Sequence, residues 1–249
     1  MFDRIAPRYD LLNHVLSCNA DRTWWWRTAR RFRHILLRPE ARVLDICCGT
    51  GDMTRALVRR RPAGAEPVIA ADFSEVMLER ARRKLAGRQV TIVAADAMRL
   101  PFGEGSLDLI TTAFGFRNLV NYRAGLEEFL RVLKPGGELG ILDCSQPGGL
   151  VGKAFGVYFR HVLPKIGARI SGDAVAYGYL PNSVEGFPPP AVMAEMMRSV
   201  GFADVSWTPY TFGIAGLWRG VKPGSSARGA GDSNGDAQPG RRGDDIRLG

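Results

Sequence analysis

The chain has 249 residues, 45% apolar and 24% charged, and 34 basic against 25 acidic side chains give a net charge of +9. That is a globular balance with material for one large core and an attraction to anionic partners such as nucleic acid or an acidic membrane surface. No apolar run approaches the roughly 18 residues that cross a bilayer, and Met1-Phe2-Asp3-Arg4 has no secretory character, so the chain reads as cytoplasmic.

The cysteines (Cys18, Cys47, Cys48, Cys144) show no C-x-x-C spacing, and His14, His34 and His161 are not paired at metal-ligand spacing. With no Gly-x-Ser-x-Gly elbow either, no metal site or serine nucleophile is expected. Positioning, carboxylates, guanidinium groups or a bound cofactor remain as sources of chemistry.

In chain order, Trp25, Ala29, Phe32 and Leu36 share one face of a predicted helix over 24–38, with Arg27, Arg31, His34 and Arg38 opposite. Two readings fit: a basic amphipathic helix lying on an anionic membrane, or an apolar stripe packed on the domain beneath solvated arginines. Strands are predicted at 41–47, 67–72, 89–96, 107–114 and 138–144. They are apolar on nearly every residue, as in parallel sheets covered on both faces. Ser74 caps a helix with Met77, Leu78, Ala81 and Leu85 on one side. Leu126, Phe129, Leu130 and Leu133 form the stripe of another, which Lys134-Pro135-Gly136-Gly137 stops and turns into the next strand.

The rhythm then breaks over 145–190, an insertion rich in Gly, Pro, Tyr and Phe and of a length that often carries binding function. Its Phe155, Tyr158, Phe159, Tyr177 and Tyr179 are of a kind that lines a substrate pocket or an ordinary core. Val192, Met196 and Val200 mark a further helix ended by Gly201, and 202–219 reads as two strands around a turn near 209–213. Residues 222–249 carry almost no large apolar side chain and read as a disordered tail. The expected organisation is a helical cap over 1–40, an α/β domain over 41–221 and the tail. Five parallel strands plus a C-terminal antiparallel hairpin predict a seven-stranded doubly wound sheet.

The first strand runs into Gly49-Thr50-Gly51-Asp52, a turn whose glycines let a nucleotide-like ligand approach the free N–H groups of the next helix. Asp72 ends the next strand 21 residues after Gly51, the spacing at which a carboxylate meets ribose hydroxyls. A dinucleotide fingerprint requires a third glycine where Thr54 stands, and Asp52 places negative charge where a pyrophosphate would lie. Both observations favour a cofactor without phosphates and with positive charge, and S-adenosylmethionine meets both. Asp96, ending the third strand, is placed to accept from an adenine amino group, with Phe73 against the ring.

From Phe2 to Gly220 the chain resembles the ubiquinone/menaquinone-biosynthesis C-methyltransferases. The likeness runs through Phe2-Asp-Arg-Ile-Ala-Pro-Arg-Tyr9-Asp10, Leu44-Asp-Ile-Cys-Cys-Gly-Thr-Gly-Asp52, Phe114-Gly-Phe-Arg-Asn118, Arg131-Val-Leu-Lys-Pro-Gly-Gly137 and His161-Val-Leu-Pro-Lys-Ile-Gly167. It departs at Leu12, Asp21, Ala113 and Asp143, the last replacing a Glu. The resemblance implies a class I, Rossmann-like methyltransferase fold with S-adenosylmethionine at Gly49, Thr50, Gly51, Asp72, Asp96 and Ala97. It also implies methylation of a ring carbon of a polyprenylated quinol. Demethylmenaquinol is favoured because Cys47-Cys48, Asp72-Phe73-Ser74 and Ser145-Gln146-Pro147 look like the menaquinone branch; 2-polyprenyl-6-methoxy-1,4-benzoquinol, a ubiquinone precursor, is the alternative. Arg117 and Asn118, just past the fourth strand, are the residues expected to hold and polarise the quinol oxygen.

An RNA methyltransferase is the enzymatic rival, since the net charge suits RNA. Phe187-Pro188-Pro189-Pro190 lacks the Asp or Asn of the amino-methylating motif, however, and no Pro-Cys pair offers a covalent attack on cytosine, so no nucleic-acid partner is expected. A non-catalytic binding protein remains compatible with the fold alone.

Overall fold

A computed structural model describes residues 17, 19–149, 152, 156, 158, 184 and 186–224. Its centre is a seven-stranded sheet of β1 (Val43–Ile46), β2 (Val68–Asp72), β3 (Val90–Ala94), β4 (Leu107–Ala113), β5 (Leu133–Cys144), β6 (Ala203–Tyr210) and β7 (Ala215–Val221) in the order β3-β2-β1-β4-β5-β7-β6. The first five strands are parallel and β7 runs antiparallel to both neighbours. Chain order reverses between β1 and β4, the place where open α/β sheets leave a crevice at their carboxyl ends.

Helices cover both faces. On one side α1 (Ala20–Arg31), α2 (Arg33–Leu36) and α3 (Asp52–Val58) pack Trp25, Phe32, Leu36 and Leu57 against Val43, Leu109 and Leu142. Leu78 of α4 (Glu75–Lys84) sits on Ala70. On the other side α5 (Tyr122–Val132) and α6 (Pro190–Val200) bring Leu126, Phe129, Met193 and Met197 onto Leu44, Ile46, Ile110 and Ile141. The near-continuous burial of β1, β4 and β5 follows from this double cover. Edge strand β3 is only partly buried.

Several sequence expectations need correction. The predicted 24–38 helix breaks at Phe32, whose backbone (φ −97°, ψ 16°) leaves helical geometry and whose ring is fully buried. Its apolar stripe is consumed by the core, as in the second of the two readings. The opposite face is largely tied down as well: Arg27 stacks 4.3 Å from the Tyr210 ring centroid, His34 Nε2 lies 2.9 Å from Glu138, and Arg38 donates to Asp108 at 2.6 Å.

Leu133 opens β5 instead of ending α5, and Lys134 to Gly137, which follow the end of the helix, form a bulge within that strand where the register against β4 shifts between Leu107 and Leu109. In α6 the inward residues are Met193 and Met197, while Val192 is 52% exposed; the stripe read from Val192 is one residue out of register. Pro209 lies within β6, where the free edge of the sheet asks no ladder hydrogen bond of it, and the turn falls on Thr211–Gly213. Lys222, assigned to the tail, is buried and pairs its backbone with Gly136 and Gly137. Residues 225–249, the N-terminal residues 1–16 and most of the insertion, including Phe155, Phe159, Tyr177 and Tyr179, lie outside the described residues.

Candidate active site

The carboxyl ends of β1 to β4 enclose a cavity of about 330 Å³, in the size range of small-molecule sites. Among the sequence-predicted residues, Gly49, Asp72, Phe73, Asp96, Ala97 and Asn118 line it. Thr50 faces a neighbouring cleft instead, and Gly51 caps α3 in a left-handed conformation (φ 90°) with Leu85 packed where a side chain would stand. Phe73 and Val120 at the mouth are 82% and 91% exposed, apolar surface of the kind a ligand covers.

The turn owes its shape to Asp72, whose two oxygens accept from the backbone N–H of Gly49 (2.8 Å) and of Ser74 (2.9 Å). A carboxylate offers about four acceptor positions, so this pinning is compatible with ribose hydroxyls as further partners. Asp96 accepts from the N–H of Met98 at 2.9 Å and faces the same cavity. Beneath the turn, Asp45 is fully buried and accepts from Thr54 Oγ1 (2.6 Å) and Thr111 Oγ1 (2.9 Å). Burial outweighs these hydrogen bonds and raises the Asp45 carboxyl to about 7. Thr54 thus has a structural reason to occupy the third-glycine position: its hydroxyl serves the buried acid.

Two non-glycine residues, Cys47 (φ 56°) and Phe114 (φ 58°), adopt left-handed backbone where β1 and β4 end, and both line the cavity. Conformations of this kind cost about 1–3 kcal/mol each and persist where the surroundings impose them. Gly115 is part of that imposition, because a Cβ there would overlap the Cβ of Cys47. Burial, reinforced by Asp72, pushes the Cys47 thiol up, so it is a protonated wall and not a nucleophile. Trp24 fastens α1 to the site, donating from Nε1 to Thr211 Oγ1 (2.8 Å) and packing 5.8 Å from the Phe114 ring.

The structure separates Arg117 from Asn118. They share a short 3-10 turn (Phe116–Asn118), and Asn118 faces the cavity. The Arg117 guanidinium is buried instead, with Nη1 2.6 Å from Asp143 Oδ1, while its backbone N–H donates to Asp143 Oδ2 at 3.1 Å. The expected oxyanion donor is therefore part of a clamp that holds the loop carrying Asn118. Asp143 was visible in the sequence only as a replacement of Glu; its partner lies 26 positions away and no spacing rule joins them.

Asp52 is ion-paired with Lys84 at 2.7 Å and lies off the cavity, so it does not set the sign of the site. Asp72 and Asp96 do, because among the described residues the cavity wall holds these two carboxylates and no Lys or Arg. A depression of about 880 Å³ along α4 is larger but lies off the strand ends, and its Glu75, Glu79 and Arg83 are engaged in ion pairs on the helix surface.

Sheet order, reversed terminal strand and glycine turn together define a class I, Rossmann-like methyltransferase fold. Solved structures agree on the fold. A chain from the Haloferax volcanii complex of the Trm112 methyltransferase activator superposes with a TM-score of 0.62 at 20% identity, covering 90% of this chain and 98% of that one. A SAM-dependent methyltransferase from Thermotoga maritima gives 0.59 at 19%, covering 89% and 98%. The [4+2]-cyclase SpnF scores 0.59 at 18%, covering 80% and 82%, so the fold alone does not decide the chemistry.

Sequence similarity is narrower: a profile of the ubiE/COQ5 methyltransferase family matches residues 1–222, and the chain belongs to that family. It is 48% identical over 225 residues to the demethylmenaquinone methyltransferase of Deinococcus radiodurans, covering 89% of this chain and 91% of that one. The enzyme of the same name from Thermus thermophilus is 46% identical over 226 residues, covering 90% and 100%. The ubiquinone/menaquinone biosynthesis C-methyltransferase of Geobacter sulfurreducens is 41% identical over 227 residues, covering 89% and 87%.

Proposed function

We propose that this protein transfers a methyl group from S-adenosylmethionine to a ring carbon of a polyprenylated quinol, with demethylmenaquinol as its substrate. The observation that carries the reading is the cavity whose charged side chains are Asp72 and Asp96 alone among the described residues. A pyrophosphate is repelled by such a wall, whereas a cationic nucleoside is attracted to it. The relatives named for demethylmenaquinone support the choice of acceptor.

In this reading Gly49, Asp72, Phe73, Asp96 and Ala97 hold the cofactor, with Gly51 and Thr50 shaping the turn beside it. S-adenosylmethionine supplies an activated methyl group on a sulfonium centre. What the chain contributes is orientation and electron density at the acceptor. A quinol ring carbon becomes nucleophilic when the neighbouring hydroxyl gives its proton to water or a nearby carboxylate, and in this reading Asn118, which lines the cavity, donates to that oxygen. One aligned donor to a developing oxyanion is worth about 3 kcal/mol. Arg117 and Asp143 keep Asn118 in place from below. Phe73, Val120, Leu119 and Phe114 give the cavity an apolar rim for the ligand to cover.

No helix among the described residues is long and apolar enough to cross a membrane. A substrate with an isoprenoid tail resides in the bilayer, so the working location in this reading is the cytoplasmic face of the cell membrane, with peripheral contact. The test supplies labelled S-adenosylmethionine with, separately, reduced demethylmenaquinol, its benzoquinol analogue and ribosomal RNA. Label in the reduced naphthoquinol alone is the expected result; label in RNA, or in no quinol, overturns the reading.

A further inference from the structure

The basic surplus of the chain is not spread evenly. Arg22, Trp26, Arg30 and Arg33 follow one another at helical spacing along α1 and into α2, on the side away from the Arg27, His34 and Arg38 contacts described above. Across a groove of about 750 Å³ Arg22 and Trp26 face α3 and the residues after it, where Arg55, Arg59 and Arg60 stand, and the charges of Arg30 and Arg33 act on Arg60 from the rim. Among the described residues, Arg22, Arg30, Arg33, Arg55 and Arg59 make no salt bridge. Among the described residues lining the groove the one carboxylate, Asp52, is held by Lys84.

Like charges are crowded here. Burial lowers the Arg60 guanidinium below its ordinary value and the charges of Arg30 and Arg33 lower it further. In the middle Trp26 is 50% exposed, with Arg30 5.3 Å and Arg60 5.4 Å from its ring centroid. An exposed indole ringed by guanidinium groups that have no carboxylate partner among the described residues carries a standing electrostatic cost that an anionic surface relieves. Indole rings also settle at the headgroup level of a bilayer.

The groove adjoins the active site. It shares Trp25 and Asp52 with a small cleft, and that cleft shares Cys47, Gly49, Ala113 and Phe114 with the 330 Å³ cavity. We infer that Arg22, Trp26, Arg30 and Arg33, with Arg55 and Arg59 opposite, form the surface that seats the protein on an anionic bilayer, beside the cavity that takes a membrane-resident acceptor. The inference rests on the quinol reading only for the identity of that acceptor. A stacked nucleic-acid strand also suits arginine and tryptophan; the position beside a site for a tailed acceptor favours lipid.

The experiment floats the full chain on phosphatidylcholine vesicles with and without phosphatidylglycerol, at low and high salt. Wild type is expected to float only with phosphatidylglycerol and to be released by salt. The double variant Arg30→Glu/Arg59→Glu, both exposed positions, should bind roughly twenty-fivefold more weakly or worse, each basic group near an anionic membrane being worth about fivefold. Arg31→Glu, on the opposite stripe, should float like wild type. Trp26→Ala should weaken partitioning while leaving its salt dependence. Thermal midpoints equal to wild type certify folding.

The double variant should also methylate a short-tailed, water-soluble quinol at the wild-type rate, and a long-tailed quinol embedded in anionic vesicles more slowly. Failure of wild type to float at low salt overturns the surface, as does equal loss in Arg31→Glu, or a double variant that loses RNA binding while keeping vesicle binding. If methylation of the short-tailed quinol persists in those cases, the functional reading survives alone. If flotation behaves as expected and no quinol is methylated, the surface stands and the functional reading fails.

Discussion

Replacing Asp45 by Asn probes the acid beneath the glycine turn. In the folded protein its carboxyl titrates near 7, against an ordinary value of 3.8, because burial disfavours the charged form. Between those values the folded state keeps a proton that the unfolded chain has released, so stability falls as pH rises through the window and levels off above about 7. The gap corresponds to about 4 kcal/mol across the full range.

Asn is neutral throughout and fits the same two partners. Its oxygen accepts from Thr54, and its amide donates to Thr111, whose hydroxyl then turns to the Leu44 carbonyl 3.5 Å away. Urea unfolding of both proteins at about pH 4.5 and about pH 8.5 isolates the effect, since all other titrating groups cancel in the difference. Asp45→Asn should be close to wild type in acid and more stable by up to about 3 kcal/mol in alkali. Parallel pH curves for the two proteins would show that the buried carboxyl is not held protonated.

Four further outcomes follow from the same geometry. Asp72→Asn, which cannot accept both backbone N–H groups and two hydroxyls, should weaken S-adenosylmethionine binding by about 2 kcal/mol in calorimetry, roughly thirtyfold in Kd. Asp96→Asn should leave the thermal midpoint near wild type while weakening binding, because Asp96 does not hold the turn. Arg117→Met strands a buried Asp143 and should lower stability by about 3–5 kcal/mol, while the double replacement with Asp143→Leu should recover much of it, by the logic of a double-mutant cycle. Gly115→Ala, by pushing on Cys47, should cost about 1–3 kcal/mol and reduce cofactor affinity together with stability.

Much of this molecule was legible before its structure. The unbroken apolar runs marked the buried strands because double cover leaves no polar face to interrupt them, and the 21-residue interval set Asp72 beside the turn. Charge partners were not legible. The sign of the site was read from Asp52, which Lys84 neutralises from 32 positions away, and the role of Arg117 was read from its place in a motif while Asp143 waited on another strand. Helix phase erred where helices end: Leu133 continues the stripe of α5 but belongs to β5, and Val192 lies next to the inward Met193. Such errors are expected where periodicity is sampled over only one or two turns. The basic groove escaped notice because it is assembled from α1 and the α3 region, and only the fold puts their arginines face to face.

The most direct test of the account is a crystal structure of the protein grown with S-adenosylmethionine. The account predicts the ligand in the cavity at the strand ends, its ribose hydroxyls on Asp72 and its adenine between Phe73 and the Asp96-Ala97 wall. A saturated crystal with that cavity empty, or with the ligand seated in the basic groove instead, would contradict it.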